Sequence, residues 1–244
     1  MFRRFAVVGI ALAIAATLSS CTIGGLTVIE GSGNKVTQTK TVSGFNNIQL
    51  SGIGKLIVKQ TGSESFSMEG DDNILSKIKV EVSGSTLNIA MEEGTSANPK
   101  TPLVYNITVK NIKTVGLSGA GSIEANDINT TTLDATISGA GNGTINNLTA
   151  DTLKITLSGA GDFTVSGTVT TQNVTISGAG SYNAGSLESQ GATVTTSGAG
   201  SATVRVRDNL NANVSGVGNI SYYGNPNVQQ TKSGVGSITK IGDK

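Results

Sequence analysis

The stretch Leu153-Lys154-Ile155-Thr156-Leu157-Ser158-Gly159-Ala160-Gly161-Asp162-Phe163-Thr164-Val165 decides the fold. Leu153, Ile155 and Leu157 alternate with Lys154 and Thr156, the period of a strand with one buried face. Ser-Gly-Ala-Gly interrupts the alternation, and Phe163 and Val165 resume it. The phrase Ser-Gly-x-Gly returns at Ser118, Ser138, Ser158, Ser177, Ser197, Ser215 and Ser233, at intervals of 20, 20, 19, 20, 18 and 18 residues. An earlier copy starts at Ser51. Repeats of this size without helical periodicity indicate a chain that coils on itself and stacks its turns.

Aligned on their serines, the copies separate into columns. One residue before the serine stand Leu117, Ile137, Leu157, Ile176, Thr196, Val214 and Lys232, and three before it Val115, Ala135, Ile155, Val174, Val194, Ala212 and Gln230. Between them lie Thr136, Thr156, Thr175, Thr195 and Thr231. Tyr182 and Tyr222 fall in inward columns, whereas Tyr105 and Tyr223 are expected to face out. The pattern predicts an all-β, right-handed, single-stranded parallel β-helix, a solenoid of about 18–20 residues per repeat. Six steps at ~4.8 Å give a column of roughly 29 Å.

The corner glycines Gly119, Gly121, Gly139, Gly141, Gly159, Gly161, Gly178, Gly180, Gly198 and Gly200 could suggest a phosphate cradle. No copy carries a P-loop lysine or opens a helix, so the expected role is structural: positive φ and no room for side chains between stacked corners. The repeated serines are expected to satisfy backbone groups freed by the corner.

Residues 1–20 read as an export signal, with Arg3 and Arg4 ahead of an apolar stretch from Phe5 to Leu18 that is short for a membrane span. Leu18-Ser19-Ser20-Cys21 resembles a bacterial lipobox, and Cys21 is the single cysteine of the chain. Cys21 is thus the expected lipidation site, joining the protein to a membrane through acyl chains. Residues 21–40 are expected to form a flexible tether, 41–105 an N-terminal β region and 106–244 the regular solenoid. Without the leader's two arginines the chain has 17 − 2 = 15 basic against 16 acidic residues. No basic tract is present, which excludes nucleic acid as the expected partner.

Phe45-Asn46-Asn47-Ile48, Ser51-Gly52-Ile53-Gly54, Gly70-Asp71-Asp72-Asn73-Ile74-Leu75 and Gly84-Ser85-Thr86-Leu87-Asn88-Ile89 follow one another, and Ser-Gly-Ala-Gly corners come after them. This order resembles the head GIN domain family, lipoproteins described as autotransporter-adhesin heads, over about residues 40–240. The resemblance implies a parallel β-helix-like fold in the bacterial envelope. It carries no ligand and no catalytic residues.

Chemistry finds little purchase. The chain has no histidine, which removes His-based triads and His-ligated metals. Asp71-Asp72-Asn73 is expected to be a solvated turn in preference to a calcium site, since calcium takes six or more oxygens. Asp134, Asp127, Asp151, Asp162, Glu188 and Asp208 occupy several columns, with no pair at one level as paired-acid catalysis requires. Thr136/Ser138, Thr156/Ser158, Thr175/Ser177 and Thr195/Ser197 form outward hydroxyl ranks of the kind that bind ice or repeating polymers. The reading is a non-enzymatic lipoprotein presenting a rigid surface for adhesion, with no cofactor and with a protein or polysaccharide as ligand. A carbohydrate-active β-helix enzyme or polysaccharide-binding protein is the alternative, and ice binding a remote third.

Overall fold

The computed structural model describes residues 27–244. The leader and Cys21 lie outside the described residues. The chain is almost all β, in stacked parallel coils of about six turns.

The first strands are β1 (Thr27–Glu30), β2 (Lys35–Lys40), β3 (Asn47–Gln60) and β4 (Ser65–Asp71). The single helical turn α1 (Asp72–Leu75) follows, and then β5 (Ile78–Ser83), β6 (Thr86–Met91), β7 (Thr95–Asn98) and β8 (Val104–Val109). The regular part comprises β9 (Thr114–Asn126), β10 (Asn129–Ile137), β11 (Ala140–Leu157), β12 (Asp162–Ile176), β13 (Ser181–Thr196) and β14 (Ser201–Val214). It closes with β15 (Ile220–Tyr223), β16 (Asn227–Lys232) and β17 (Ile238–Gly242).

From β9 onward each strand pairs in parallel with the next coil, and the register matches the sequence columns. Thr136 lies on Thr156, Thr156 on Thr175 and Thr175 on Thr195. The ladder runs unbroken through the corners: Ser138, Ser158 and Ser177 donate their amides to the carbonyls of Leu117, Ile137 and Leu157 on the coil before. Leu133, Ile155, Leu157, Val174 and Ile176 are buried, each such side chain worth about 1.5–3 kcal/mol relative to exposure. One inward column carries Gln172, and the core accommodates it with hydrogen bonds. The Tyr182 hydroxyl donates to Gln172 Oε1 at 3.1 Å, and Gln172 Nε2 donates to Ser189 Oγ at 2.8 Å. Ser189 Oγ passes the chain on to the carbonyl of Arg205. A buried polar network of this kind is tolerable because every member finds a partner.

The early Ser51 copy is the first coil of the same stack. Strand β3 lies parallel to β9, with Ser51 on Ser118 and Gly52 on Gly119. Residues 61–113 are an insertion that caps it. Its strands β6 and β8 add one irregular coil on the outer edge of β3, and β4 and β5 close that coil by antiparallel pairing.

The tether expected at residues 21–40 is corrected from Thr27 onward. Strand β2 pairs antiparallel with β4, and β1 pairs in parallel with β7. The polar side chains that suggested a linker belong to an outer edge strand, where Lys35 and Lys40 discourage further pairing.

Candidate functional site

At the corners the glycines are required by stacking. A Cβ on Gly139, Gly159, Gly178 or Gly198 would overlap the carbonyl oxygen of the glycine one coil earlier. The second glycines Gly121, Gly161, Gly180 and Gly200 meet the same obstacle. At Gly141 the obstacles are the Leu117 side chain and the Gly121 carbonyl. The conformational half of the expectation holds at fewer places: among the ten, only Gly119 and Gly161 have positive φ. Close approach of backbone to backbone, more than handedness of the turn, excludes side chains here.

The corner serines differ from expectation. Ser138, Ser158, Ser177 and Ser197 are exposed, and the amide-to-carbonyl ladder already occupies the backbone groups they were to satisfy. Among the described residues only two corner hydroxyls bond: Ser118 Oγ accepts from Gln49, and Ser215 Oγ donates to Thr196 O. The two hydroxyl ranks therefore face solvent as a ridge, broken at Gly116 and Asn213.

The second corner of each coil is built differently. Asp127 and Asn147 both sit at φ 56, and Gly167 follows at φ 131 one coil further on. Asn and Asp tolerate this region better than most residues. They also ladder, since Asn146 Nδ2 donates to Asn126 Oδ1 and Asn147 Nδ2 to Asp127 Oδ1.

Alongside this corner runs a concave polar channel. Its largest section, about 1270 Å³, spans the first coils and is lined by residues including Asn46, Gln60, Lys113, Thr132, Asp134 and Asp151. A second section of about 270 Å³ shares Asn129, Thr130 and Asp151 with the first. A third of about 240 Å³ shares Glu188 and Arg207 with the second and ends at Lys244. Neighbouring sections adjoin through these shared residues, and together the three extend over seven coil steps, roughly 34 Å at the strand spacing. This feature was missed in the sequence, because it lies where strands bend and the columns lose their register.

Two groove carboxylates test the enzymatic alternative. Asp134 pairs in register with Lys154, and Lys154 Nζ holds its carboxylate at 2.9 Å. Asp151 is on the next coil, three residues along the strand from Lys154. That offset puts their Cα atoms roughly 11 Å apart by strand geometry, and the Lys154 ion pair engages one of the two carboxylates. Among the described residues no group of three or more metal-type side chains comes together.

Asp71-Asp72-Asn73 is no solvated turn. Asp71 is fully buried, and its carboxylate accepts the backbone N–H groups of Gly33, Lys100 and Thr101 at 2.7–3.0 Å. Burial pushes its carboxyl up, but those three donors together hold it below the usual carboxylate range. Asp72 accepts from Ser32 Oγ and Asn34 Nδ2, which likewise lower it. Asn73 accepts from the Ser32 amide and donates to the Glu30 carbonyl. The motif fastens the β1–β2 segment to the domain.

Tyr105, expected outside, is buried between β3 and β4, its hydroxyl donating to the Ile53 carbonyl at 3.2 Å. Desolvation raises its pKa well above the ordinary phenol value. Tyr223 is half-buried, with the Lys244 ammonium 4.2 Å from its ring centre. Tyr222 is only partly buried at its inward position.

A stack of parallel coils with glycine corners and a lengthwise polar channel defines the class as a repetitive β-solenoid presenting a surface. The family described as "Putative auto-transporter adhesin, head GIN domain" matches residues 44–226, and the chain belongs to it. A putative adhesin from Bacteroides fragilis is similar at 27% identity, covering 87% of this chain and 100% of its own, with a TM-score of 0.83. A putative adhesin from Parabacteroides distasonis is 25% identical, covering 88% of this chain and 100% of its own, at TM-score 0.66. A protein from the same organism named as a putative lipid binding protein shares the fold at 23% identity, 88% and 100% coverage and TM-score 0.68. No curated protein matches the chain. The family description and two of these three neighbours carry an adhesin name, which suggests a protein of the cell envelope or surface.

Proposed function

We infer that the protein is a non-enzymatic, lipid-anchored adhesin head of the bacterial envelope, recognising a protein or polysaccharide through its solenoid surface. The observation that carries this reading is the in-register stack itself, which repeats one polar surface motif coil after coil on a rigid frame. The adhesin names of the family and of the 27% identical neighbour support it. The lipobox at Cys21 supports the anchor, and an outer-membrane location follows from that reading. Among the described residues no helix is long and apolar enough to cross a membrane. Only five residues separate Cys21 from Thr27, a reach of at most ~22 Å over six Cα–Cα steps. An anchor at Cys21 thus keeps the capped N-terminal end of the stack near the bilayer and points the coils away from it.

Two measurements test this. In a Gram-negative host, Cys21→Ser is expected to abolish palmitate incorporation and move the folded protein from the membrane to the soluble fraction. Undiminished membrane association would contradict the anchor. Beads carrying the protein should bind saturably to at least one of host matrix, glycans or envelope polymers. Absence of saturable binding to all three would overturn the adhesive reading.

A further inference from the structure

We propose that the lengthwise groove is the ligand site of the adhesive surface and that it takes one extended, neutral, hydroxyl-rich polysaccharide chain. The proposal rests on the adhesive reading and specifies its ligand. Length is the first argument. A row of adjoining open sections spanning roughly 34 Å over seven coil steps suits a linear polymer, whereas a small ligand would need an enclosed pocket.

Charge is the second. Most groove charges neutralise one another: Asp134 with Lys154 at 2.9 Å, Glu188 with Arg205 at 3.3 Å, and Arg207 with Asp208 at 3.3 Å. What remains, besides Asp151 and the two cations Lys113 and Lys244 toward the ends, is a set of neutral donors and acceptors. Asn129, Thr149 and Thr168 stack in register along the second section, and Thr130, Thr131 and Thr132 line the first. An anionic polymer finds no net positive field here, and a nucleic acid none of the basic surface it needs. A neutral glycan finds hydroxyl and amide groups repeating at ~4.8 Å, close to the advance of one hexose along an extended chain.

Asp151 is the third. It lines both upper sections and, among the described residues, makes no ion pair or side-chain hydrogen bond. A carboxylate without a partner, beside groove hydroxyls such as Thr130 and Thr149, accepts hydrogen bonds from neighbouring sugar hydroxyls, charge-assisted and stronger than neutral ones. The groove lacks aromatic platforms, so binding depends on many weak polar contacts along the polymer. Long chains should therefore bind far better than short oligomers.

The test uses the full chain in detergent or vesicles, with dextran, xyloglucan and galactomannan as probes and heparin as the anionic control. At least one neutral polymer is expected to bind saturably, with heparin inactive. Asp151→Ala should weaken that binding about tenfold, the loss of one charge-assisted hydrogen bond. Thr132→Arg, which fills the groove from an exposed position, should abolish it, and both variants should keep the wild-type melting curve. The same proteins are run on beads against cells and matrix. If wild-type beads adhere while neutral polymers neither bind nor compete, or while both variants adhere like wild type, the groove proposal fails and the adhesive reading stands. Heparin binding alone would also overturn it. Polymer binding without bead adhesion would support the groove and sink the adhesive reading, and no binding in either format would sink both.

Discussion

Gly159→Val is expected to destabilise the protein by about 3 kcal/mol or more, because the new side chain has no place to go. Its Cβ alone overlaps the Gly139 carbonyl oxygen, and Gly178 sits against the Gly159 carbonyl from the other side. Moving either coil away breaks the amide ladder in which Ala160 N donates to Gly139 O and Ala179 N to Gly159 O, both at 3.0 Å. The strain thus cannot be relieved locally, as it could be at Gly191, where the nearest atom to a new Cβ is the Asn209 carbonyl oxygen at 3.9 Å. Thr156→Val is the matched control. It adds no volume beyond replacing a hydroxyl, lies on the outward face between Thr136 and Thr175, and keeps a β-branched residue in a strand. Its effect should stay within about 0.5 kcal/mol. Urea melts of the two variants check this, and equal small losses would contradict the close-approach account of the corners.

Asp71→Ala should detach the N-terminal strands ahead of the solenoid. It strips the partner from three backbone N–H groups on two separate loops, and buried donors left unpaired are costly. Expected results are early tryptic cleavage at Lys35 and Lys40 and a first unfolding step absent from the wild type. The same site gives a pH dependence with a definite sign. A carboxyl held below its unfolded value contributes stability above about pH 3.9, lost as pH falls through the lower folded value. Asp72 shifts in the same direction and acts in the same window. The melting temperature of the wild type should therefore fall more steeply between pH 5 and pH 2 than that of Asp71→Asn, which no longer titrates there. Parallel curves would remove Asp71 as the fastening group.

The contrast between these two sites shows what could be read from residues alone. The stack was legible because each coil repeats the same local bargain of inward Leu or Ile, outward Thr and a glycine corner, so that Leu157 and Ile176 announce their own neighbours. The role of Ser51 as the first coil was half visible. Its motif matched, but the 61–113 insertion places β6 and β8 outside β3, an order that no local pattern encodes. Asp71 was misread because Gly-Asp-Asp-Asn has the composition of a turn. Its partners Gly33, Lys100 and Thr101 stand 38, 29 and 30 residues away in the chain. Tyr105 was misplaced for a related reason, since the antiparallel cover supplied by β4 depends on tertiary pairing. The groove was invisible because a concavity belongs to the bend between strands, where columns shift at Ile145/Leu148 and Thr164/Ser166.

Cysteine pairs along the serine column test the stacking most directly. In a Cys21→Ser background, Ser138→Cys with Ser158→Cys places two thiols on adjacent coils, with Cα atoms ~4.8 Å apart and inside the ~4.4–6.8 Å range of disulfides. Ser138→Cys with Ser177→Cys spans two coils, ~9.6 Å, beyond the ~7 Å limit. Mild oxidation should cross-link the first pair rapidly and leave the second reduced. Cross-linking of the second pair as fast as the first, or of neither, would contradict a structure in which each coil rests on the one before.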